Sequence, residues 1–526
     1  MASLGLKLYT IDFSIPFSSD NLGYTLRAVS HNNGDFSQMP DKGLGWSILI
    51  APFLRLIESD SLTDYSNVIR LLSIGIASAS IFMVYRVGRK YFDQKYSIVV
   101  ASLFAFEPHL NYNAGFGLVE PVYHLVMLGA FYFTLNNRTK YIIPSLALTG
   151  ILWWIRINGL GILIVISIIY FITQRKNPNF LKNYGLGIAA FLLVVSPMLI
   201  QRYDQFGDPL YFWYNERIFA GDYEALVSSN TETNQSAIIY IENNGILSFA
   251  HTFILTGIYN IFEVLSKISL PYLFILLPFG IIFSFRAFDQ NTQYIKANWI
   301  FILASLGLMV VTFSIVPERR YLFFLFPFLV IFATIPIQRV VEYGLSTFAF
   351  SNKQKNVFLI IVIGLSFMLS LLFVVYQYGQ PDLIFENEKI EFAKFVVHNL
   401  DGKILDESGP ALEYVSYVLI SDSSSNFKNY KISQNILQES QKTSNLDRVY
   451  IHANSIDDLV SKGKSYELKY LISNENKGYF HQYVDEIYYN ENQYPYLKKI
   501  FDSNEKGFTK LKLKVFEIDY NNFAQK

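Results

Sequence analysis

The sequence contains no cysteine, so disulfide cross-links, thiol nucleophiles and cysteine-ligated zinc are excluded over all 526 residues. Any exported segment must therefore fold on its packed core alone. Charge is scarce as well: Asp, Glu, Lys and Arg make up 16% of the chain, against roughly 25% in ordinary soluble domains. The 43 basic and 43 acidic residues cancel, which leaves no basic footprint for a nucleic-acid partner.

Apolar residues take the place of charge. The chain is 52% hydrophobic and 17% aromatic, with a mean hydropathy of +0.26, and the excess lies before residue 380. A helix needs about 20 mostly apolar residues to cross roughly 30 Å of hydrocarbon. About ten stretches qualify, several of them short: 68–88, 96–113, 118–135, 141–155, 158–173, 183–201, 268–286, 298–316, 321–340 and 357–377. Aromatic residues crowd their ends, as in Trp153-Trp154 and Tyr211-Phe212-Trp213-Tyr214, consistent with interfacial belts.

Short-loop charges give the orientation. One set of loops holds Arg86, Arg89, Lys90, Lys95, Arg138, Lys140, Arg175, Lys176, Lys182, Arg286, Lys296, Arg339, Lys353 and Lys355, and the other only Arg156, Arg319 and Arg320. The positive-inside rule makes the first set cytoplasmic. The expectation is therefore a multi-spanning part over 1–378, with loops 12–66 and 202–267 outside, and an extracytoplasmic soluble part over 379–526. Residues 1–19 hold only a short apolar run broken by Lys7, Asp12 and Pro16, neither a span nor a signal peptide. A further transmembrane helix ahead of this start is expected. Asn234-Gln235-Ser236, in an outside loop, matches the N-glycosylation acceptor pattern.

The texture changes near residue 380. Glu386–Leu400 has helical periodicity, Arg448–His452 and Leu468–Ser473 read as strands flanking a helix at Ser455–Ser461, Tyr494–Asp502 reads as a helix, and Leu511–Tyr520 alternates like a strand. A small α/β domain results. It has no glycine-rich phosphate loop, nucleophile elbow or metal spacing, so a lid or docking platform is expected there.

The polar stretch Ser18-Ser19-Asp20-Asn21-Leu22-Gly23-Tyr24, continuing through Gly34 to Pro40-Asp41-Lys42-Gly43, stands just before the chain becomes membrane-like. It resembles the first extracytoplasmic loop of the GT-C glycosyltransferases, in particular the protein O-mannosyltransferase and aminoarabinose transferase branch. There an acid precedes a Tyr, a Gly and a Lys-bearing turn. Asn21 stands where the second acid of the usual pair would be. The resemblance implies Asp20 as catalytic acid or base, with Tyr24 and Asn21 at the substrate and Lys42 near the donor phosphate. It also covers Glu120, at the start of a span, as a second catalytic candidate, and Arg156 in Arg156-Ile157-Asn158-Gly159 and the Arg320-Tyr321 pair ahead of Phe326-Pro327, which with Arg319 are expected at the donor phosphate.

Each residue has a plainer role open to it. Asp20 could cap a helix, Lys42 could snorkel, and Glu120 suits a helix N-terminus. Arg156 costs about 2.5–3.5 kcal/mol at a bilayer centre, so it must be paired, face a cavity or reach an interface. Arg319 and Arg320 stand outside against the charge bias; planar forks suit phosphate oxygens, while Glu318 or lipid headgroups would also hold them. Glu120 and His124, four apart on one helix face, could form a metal site with Glu107 and His109, although the spacing is unspecific.

These features lead to an α-helical polytopic membrane protein, GT-C-like, with a C-terminal extracytoplasmic α/β domain. The expected activity moves a sugar from a polyprenyl (dolichyl) phosphate to a glycan, lipid or protein acceptor at the outer face of the cell membrane, with inversion and Asp20 as base. No cofactor is required beyond that lipid-linked donor, and a divalent metal stays open. The alternative is a transporter or a non-enzymatic membrane scaffold, with Arg156 as a pathway residue; internal inverted repeats, which would favour transport, are not evident.

Overall fold

The computed structural model describes residues 1–39, 41–227, 236–285, 292–405, 409–422, 427–433, 446–476 and 481–524. Pro40, Arg286 and the Asn234-Gln235 pair lie outside these residues. Three short helices come first: α1 (Ala2–Tyr9), α2 (Ser19–Asn32) and α3 (Gly45–Leu54). The longest has 14 residues, too few to cross a bilayer.

Helix α4 (Leu62–Tyr91) starts where the Ser61 side chain accepts from the Thr63 amide. The expected span over 96–113 is two helices, α5 (Gln94–Ala105) and α6 (Pro108–Ala114). Pro108 cannot continue α5, and Glu107 caps the new helix by accepting from the His109 amide. Helices α7 (Glu120–Thr134), α8 (Ile142–Ile155), α9 (Gly159–Gln174) and α10 (Phe180–Phe206) follow the sequence pattern closely.

The expected loop over 202–267 is corrected by the structure. After α11 (Tyr223–Val227) and α12 (Ala237–Asn244), α13 (Ile246–Phe249) runs through a π-helical turn into α14 (Thr256–Ile268), making one helix over Ile246–Ile268. Its hydropathy is 1.2, the lowest of the long apolar helices, because His251, Asn260, Glu263 and Lys267 interrupt the run. Glu263 and Lys267 pair one turn apart. α15 (Leu273–Ser284) continues the path. Asn260 Nδ2 donates to Phe313 O near the end of α16 (Thr292–Ile315), and Trp299 Nε1 near its start donates to Ser284 Oγ, each at 2.9 Å. α14 and α15 thus pack in succession along α16.

A 3-10 turn at Arg319–Leu325 leads into α17 (Phe326–Arg339), which α18 (Leu345–Thr347) extends. The segment Arg319–Thr347 is 94% buried over its most apolar window; it is apolar on every side, as a central helix must be. α19 (Asn352–Phe373) starts from a capping box between Ser351 and Gln354. Among the described residues six helices are long and apolar enough to cross a membrane. The remaining expected crossings correspond to shorter helices.

Beyond α20 (Leu383–Asn399) lies a five-stranded sheet of β1 (Gly402–Leu405), β2 (Leu446–Val449), β3 (Leu468–Asn474), β4 (Leu497–Asp502) and β5 (Leu513–Ile518), with α21 (Val415–Asp422) after β1. The order is β2-β1-β3-β5-β4, with β1 parallel to β2 and β3, and β5 antiparallel to β3 and β4. Strand β4 corrects the helix expected over Tyr494–Asp502. The pairing of Leu497 with Ile518 and of Phe501 with Val515 is non-local, and it overrides a local pattern that suits either state. Strand β1, four residues long, carried no sequence signal.

Candidate active site

The site forms on α2, which both parts of the chain hold. Ser18 Oγ donates to Glu413 Oε1 at 2.7 Å, Asn33 Nδ2 to Lys428 O at 2.6 Å, and the Ser433 amide to Asp35 at 2.8 Å. From the membrane side, His31 Nε2 meets Ser47 Oγ at 3.0 Å, and the fully buried Trp46 donates to Gly117 O at 2.8 Å. The N-cap is Ser18, and Asp20 lies within the first turn.

Lys42 Nζ lies 2.8 Å from Asp20 Oδ1, and Arg320 Nη1 lies 3.7 Å from Oδ2. The Asp20 side chain keeps 43% of its surface. Burial, the largest influence, raises its pKa. Lys42, then Arg320 and Arg156, lower it by more, leaving Asp20 below the usual carboxylate value.

Lys42 is placed by glycine. A Cβ on Gly43 would stand 2.4 Å from Trp154 O and 2.6 Å from Ile155 O, and one on Gly45 would stand 2.8 Å from Ile155 N. The turn therefore packs bare backbone on the end of α8, beside Arg156. Gly43→Ala is expected to destabilise the protein by about 1–3 kcal/mol through overpacking and to draw Lys42 off Asp20. Thermal unfolding in detergent checks this; an unchanged midpoint contradicts it.

Arg156 ends α8 and turns the chain into α9. Its Nη1 lies 3.2 Å from Glu120 Oε1, and its guanidinium stacks over the Tyr321 ring at 4.4 Å. Glu120 opens α7 and is buried, with Asn113 Nδ2 at 3.5 Å from its other oxygen. Tyr24, one turn after Asp20, lies 5.8 Å below Lys42 and 5.9 Å below Arg27. Burial pushes its phenol up, so it stays a hydrogen-bond donor.

No family model matches this chain, and no curated protein sequence matches it. Solved structures do. The Archaeoglobus fulgidus oligosaccharyltransferase in complex with Zn and sulfate superposes with a TM-score of 0.56 at 11% identity, over 90% of this chain and 67% of that one. ArnT from Cupriavidus metallidurans bound to undecaprenyl phosphate gives 0.51 at 11%, over 98% and 96%. The Archaeoglobus fulgidus oligosaccharyltransferase AglB, with an inhibitory peptide and a dolichol-phosphate, gives 0.54 at 10%, over 90% and 68%. These are GT-C glycosyltransferases. The chain has the GT-C fold.

Within that fold the structure brings together Asp20, Tyr24, Lys42, Arg156, Glu120 and Arg320. Asn21 lines the open space beside Asp20. Arg319 does not join them: it is exposed and lies within electrostatic reach of Tyr378. Glu107 and His109 pair with each other at 2.6 Å, Glu120 pairs with Arg156, and His124 lies edge-on to Phe104. No group of three or more metal-binding side chains gathers among the described residues. The donor set does not suit a dication, since Lys42 and Arg320 flank Asp20 and Arg156 flanks Glu120. No step is assigned to a metal.

Arg27 was missed in the sequence. It is 3% exposed, its Nε and Nη1 have no hydrogen-bond partner, and its nearest carboxylate, Asp41, is 3.8 Å away. Spacing could have found it, because Asp20, Tyr24 and Arg27 recur at the i, i+4, i+7 positions of one helix face. Tyr214 had no such signal. It comes from a long connection to within electrostatic reach of Tyr321, Asp41 and Asp20.

Proposed function

We propose that this protein is a membrane glycosyltransferase that takes a sugar from a polyprenyl phosphate and passes it to an acceptor hydroxyl on the outer face. The observation that carries this is the carboxylate of Asp20, held between Lys42 and Arg320, with Arg156 and its partner Glu120 behind them. Cations around one base suit a reaction in which a phosphate leaves. The neighbours support the donor class: ArnT was solved with undecaprenyl phosphate and AglB with a dolichol-phosphate.

In the free protein Lys42 neutralises Asp20. A donor phosphate would draw Lys42 and Arg320 to its oxygens, leaving the carboxylate to accept the acceptor's proton. The acceptor oxygen bonds to the anomeric carbon, the bond from that carbon to the phosphate oxygen breaks, and the electron pair leaves on the phosphate. Attack from the face opposite the phosphate inverts the anomeric centre. Arg27 and Arg156 add fixed positive charge where the leaving group gathers negative charge.

Mass spectrometry of lipid carried through purification tests the donor class. A bound polyprenyl phosphate is expected; a preparation that neither carries nor binds one contradicts the proposal. Orientation has its own test, made clean by the absence of cysteine. An impermeant thiol reagent should label Ser465→Cys, in the sheet region, and not Lys353→Cys, both being exposed positions. The reverse pattern would invert the topology.

A further inference from the structure

Asp20 and Arg320 also face a space away from the Lys42 turn. An open cleft of about 450 Å³ runs from the start of α2 between the spanning helices and the C-terminal sheet region. Three tyrosines line it, Tyr112, Tyr378 and Tyr414, the first two stacked at 3.9 Å with planes 5° apart. Asp12, Asp20, Glu386 and Glu413 line it together with Arg70 and Arg320, so carboxylates outnumber guanidiniums.

The cations lining it are already engaged. Arg70 donates to Ile15 O and to Asn67, both at 2.8 Å. Arg320 holds Asp20 and Glu318. Behind the wall, Lys389 lies 2.8 Å from Glu386 and 2.7 Å from Glu413. Arg319, exposed at the Tyr378 side, adds positive charge there.

Flat aromatic faces beside carboxylate acceptors match a ligand with apolar ring faces and many hydroxyl donors. An anionic ligand would find the cations here already held by carboxylates and backbone carbonyls. A peptide docking by strand addition needs a free sheet edge, and the sheet region contributes α20 and the turn around Glu413 here, not a strand.

We infer that this cleft receives the acceptor and that the acceptor is a neutral saccharide, laid against Tyr378 with one hydroxyl delivered to Asp20. The inference rests on the glycosyl transfer proposed above. That hydroxyl oxygen forms the new bond to the anomeric carbon and gives its proton to Asp20, and the donor phosphate departs with the electron pair.

The test uses the full chain in phosphatidylcholine nanodiscs, titrated with cellotetraose, mannotetraose and N-acetylchitotetraose as neutral probes. Tetragalacturonate serves as the anionic probe and a Ser/Thr-rich nonapeptide as the peptide probe, and intrinsic fluorescence reports binding. At least one neutral tetrasaccharide is expected to saturate, with tetragalacturonate about tenfold weaker or more. Tyr378→Ala and Glu386→Gln should each weaken that binding about tenfold, and Tyr378→Phe should restore it. Undecaprenyl phosphate binding, measured in the same discs, should not change.

The inference is overturned if no neutral tetrasaccharide saturates, if tetragalacturonate or the peptide binds in preference, or if the Tyr378 and Glu386 variants bind the sugar as the unsubstituted protein does. Where lipid-phosphate binding persists through those outcomes, the acceptor assignment alone falls. Loss of lipid-phosphate binding by the unsubstituted protein removes the transferase reading beneath it.

Discussion

Asp20→Asn is expected to leave donor binding intact and to lower sugar transfer by at least about a hundredfold. The amide keeps the shape of the side chain but cannot take up the acceptor's proton. A positioned base contributes about 10² to 10⁴ in rate, which sets the size of the loss. The pH profile carries a second signature. The base works ionised, and its pKa in the free protein lies below the usual value, so kcat/KM, which reports the free protein, should hold down to roughly pH 4, the ordinary aspartate pKa, and fail only below it. Burial alone would push Asp20 the other way, and Lys42 is the group that chiefly overcomes it. Lys42→Gln should therefore move the acid limb upward. A folded, donor-binding Asp20→Asn protein with the parent rate would leave Glu120 as the next carboxylate to examine.

Arg320→Ala is expected to weaken lipid-phosphate binding by roughly ten- to a hundredfold, since a charge-assisted bond of this kind is worth about 1.5–3 kcal/mol. Arg320 comes within 3.7 Å of Asp20 and 3.4 Å of Glu318 and keeps 31% of its side-chain surface, so it can reach a phosphate without unfolding anything. Arg320→Lys should recover part of the loss, because an ammonium offers charge without the planar fork. Arg319→Ala is the contrast: that side chain is exposed on the Tyr378 side, and its removal should leave the affinity close to the parent's. Equal losses in both variants would mean that bulk charge, not the placed guanidinium, holds the phosphate.

Much of the site was legible before the structure. Asp20, Tyr24 and Lys42 fall in one polar stretch, and Glu120, Arg156 and Arg320 each interrupt or open an apolar run, where an ionisable group is costly and needs a reason. What could not be read was which of them meet. Arg319 and Arg320 are neighbours in the chain, and only the 3-10 turn over Arg319–Leu325 turns one to Asp20 and leaves the other exposed. Arg27 escaped because a guanidinium in a polar helix looks like surface charge until Met39 and Asp41 fold over it.

Local composition determined the helices, the membrane-spanning class and the change of texture near residue 380, because an apolar run of helical length has few other ways to satisfy its backbone in hydrocarbon. Tertiary structure decided the rest. Helix Ile246–Ile268 has polar residues that masked it in the sequence, and it forms through its packing on α16. Strand β4 exists because β5 pairs with it, a partner chosen from outside its own segment. Asp20 becomes a candidate base because Arg320, three hundred positions later, is brought to it by packed helices. Such pairings depend on long-range closure, whose entropy grows only slowly with separation, so sequence distance gives little guide to which charges meet.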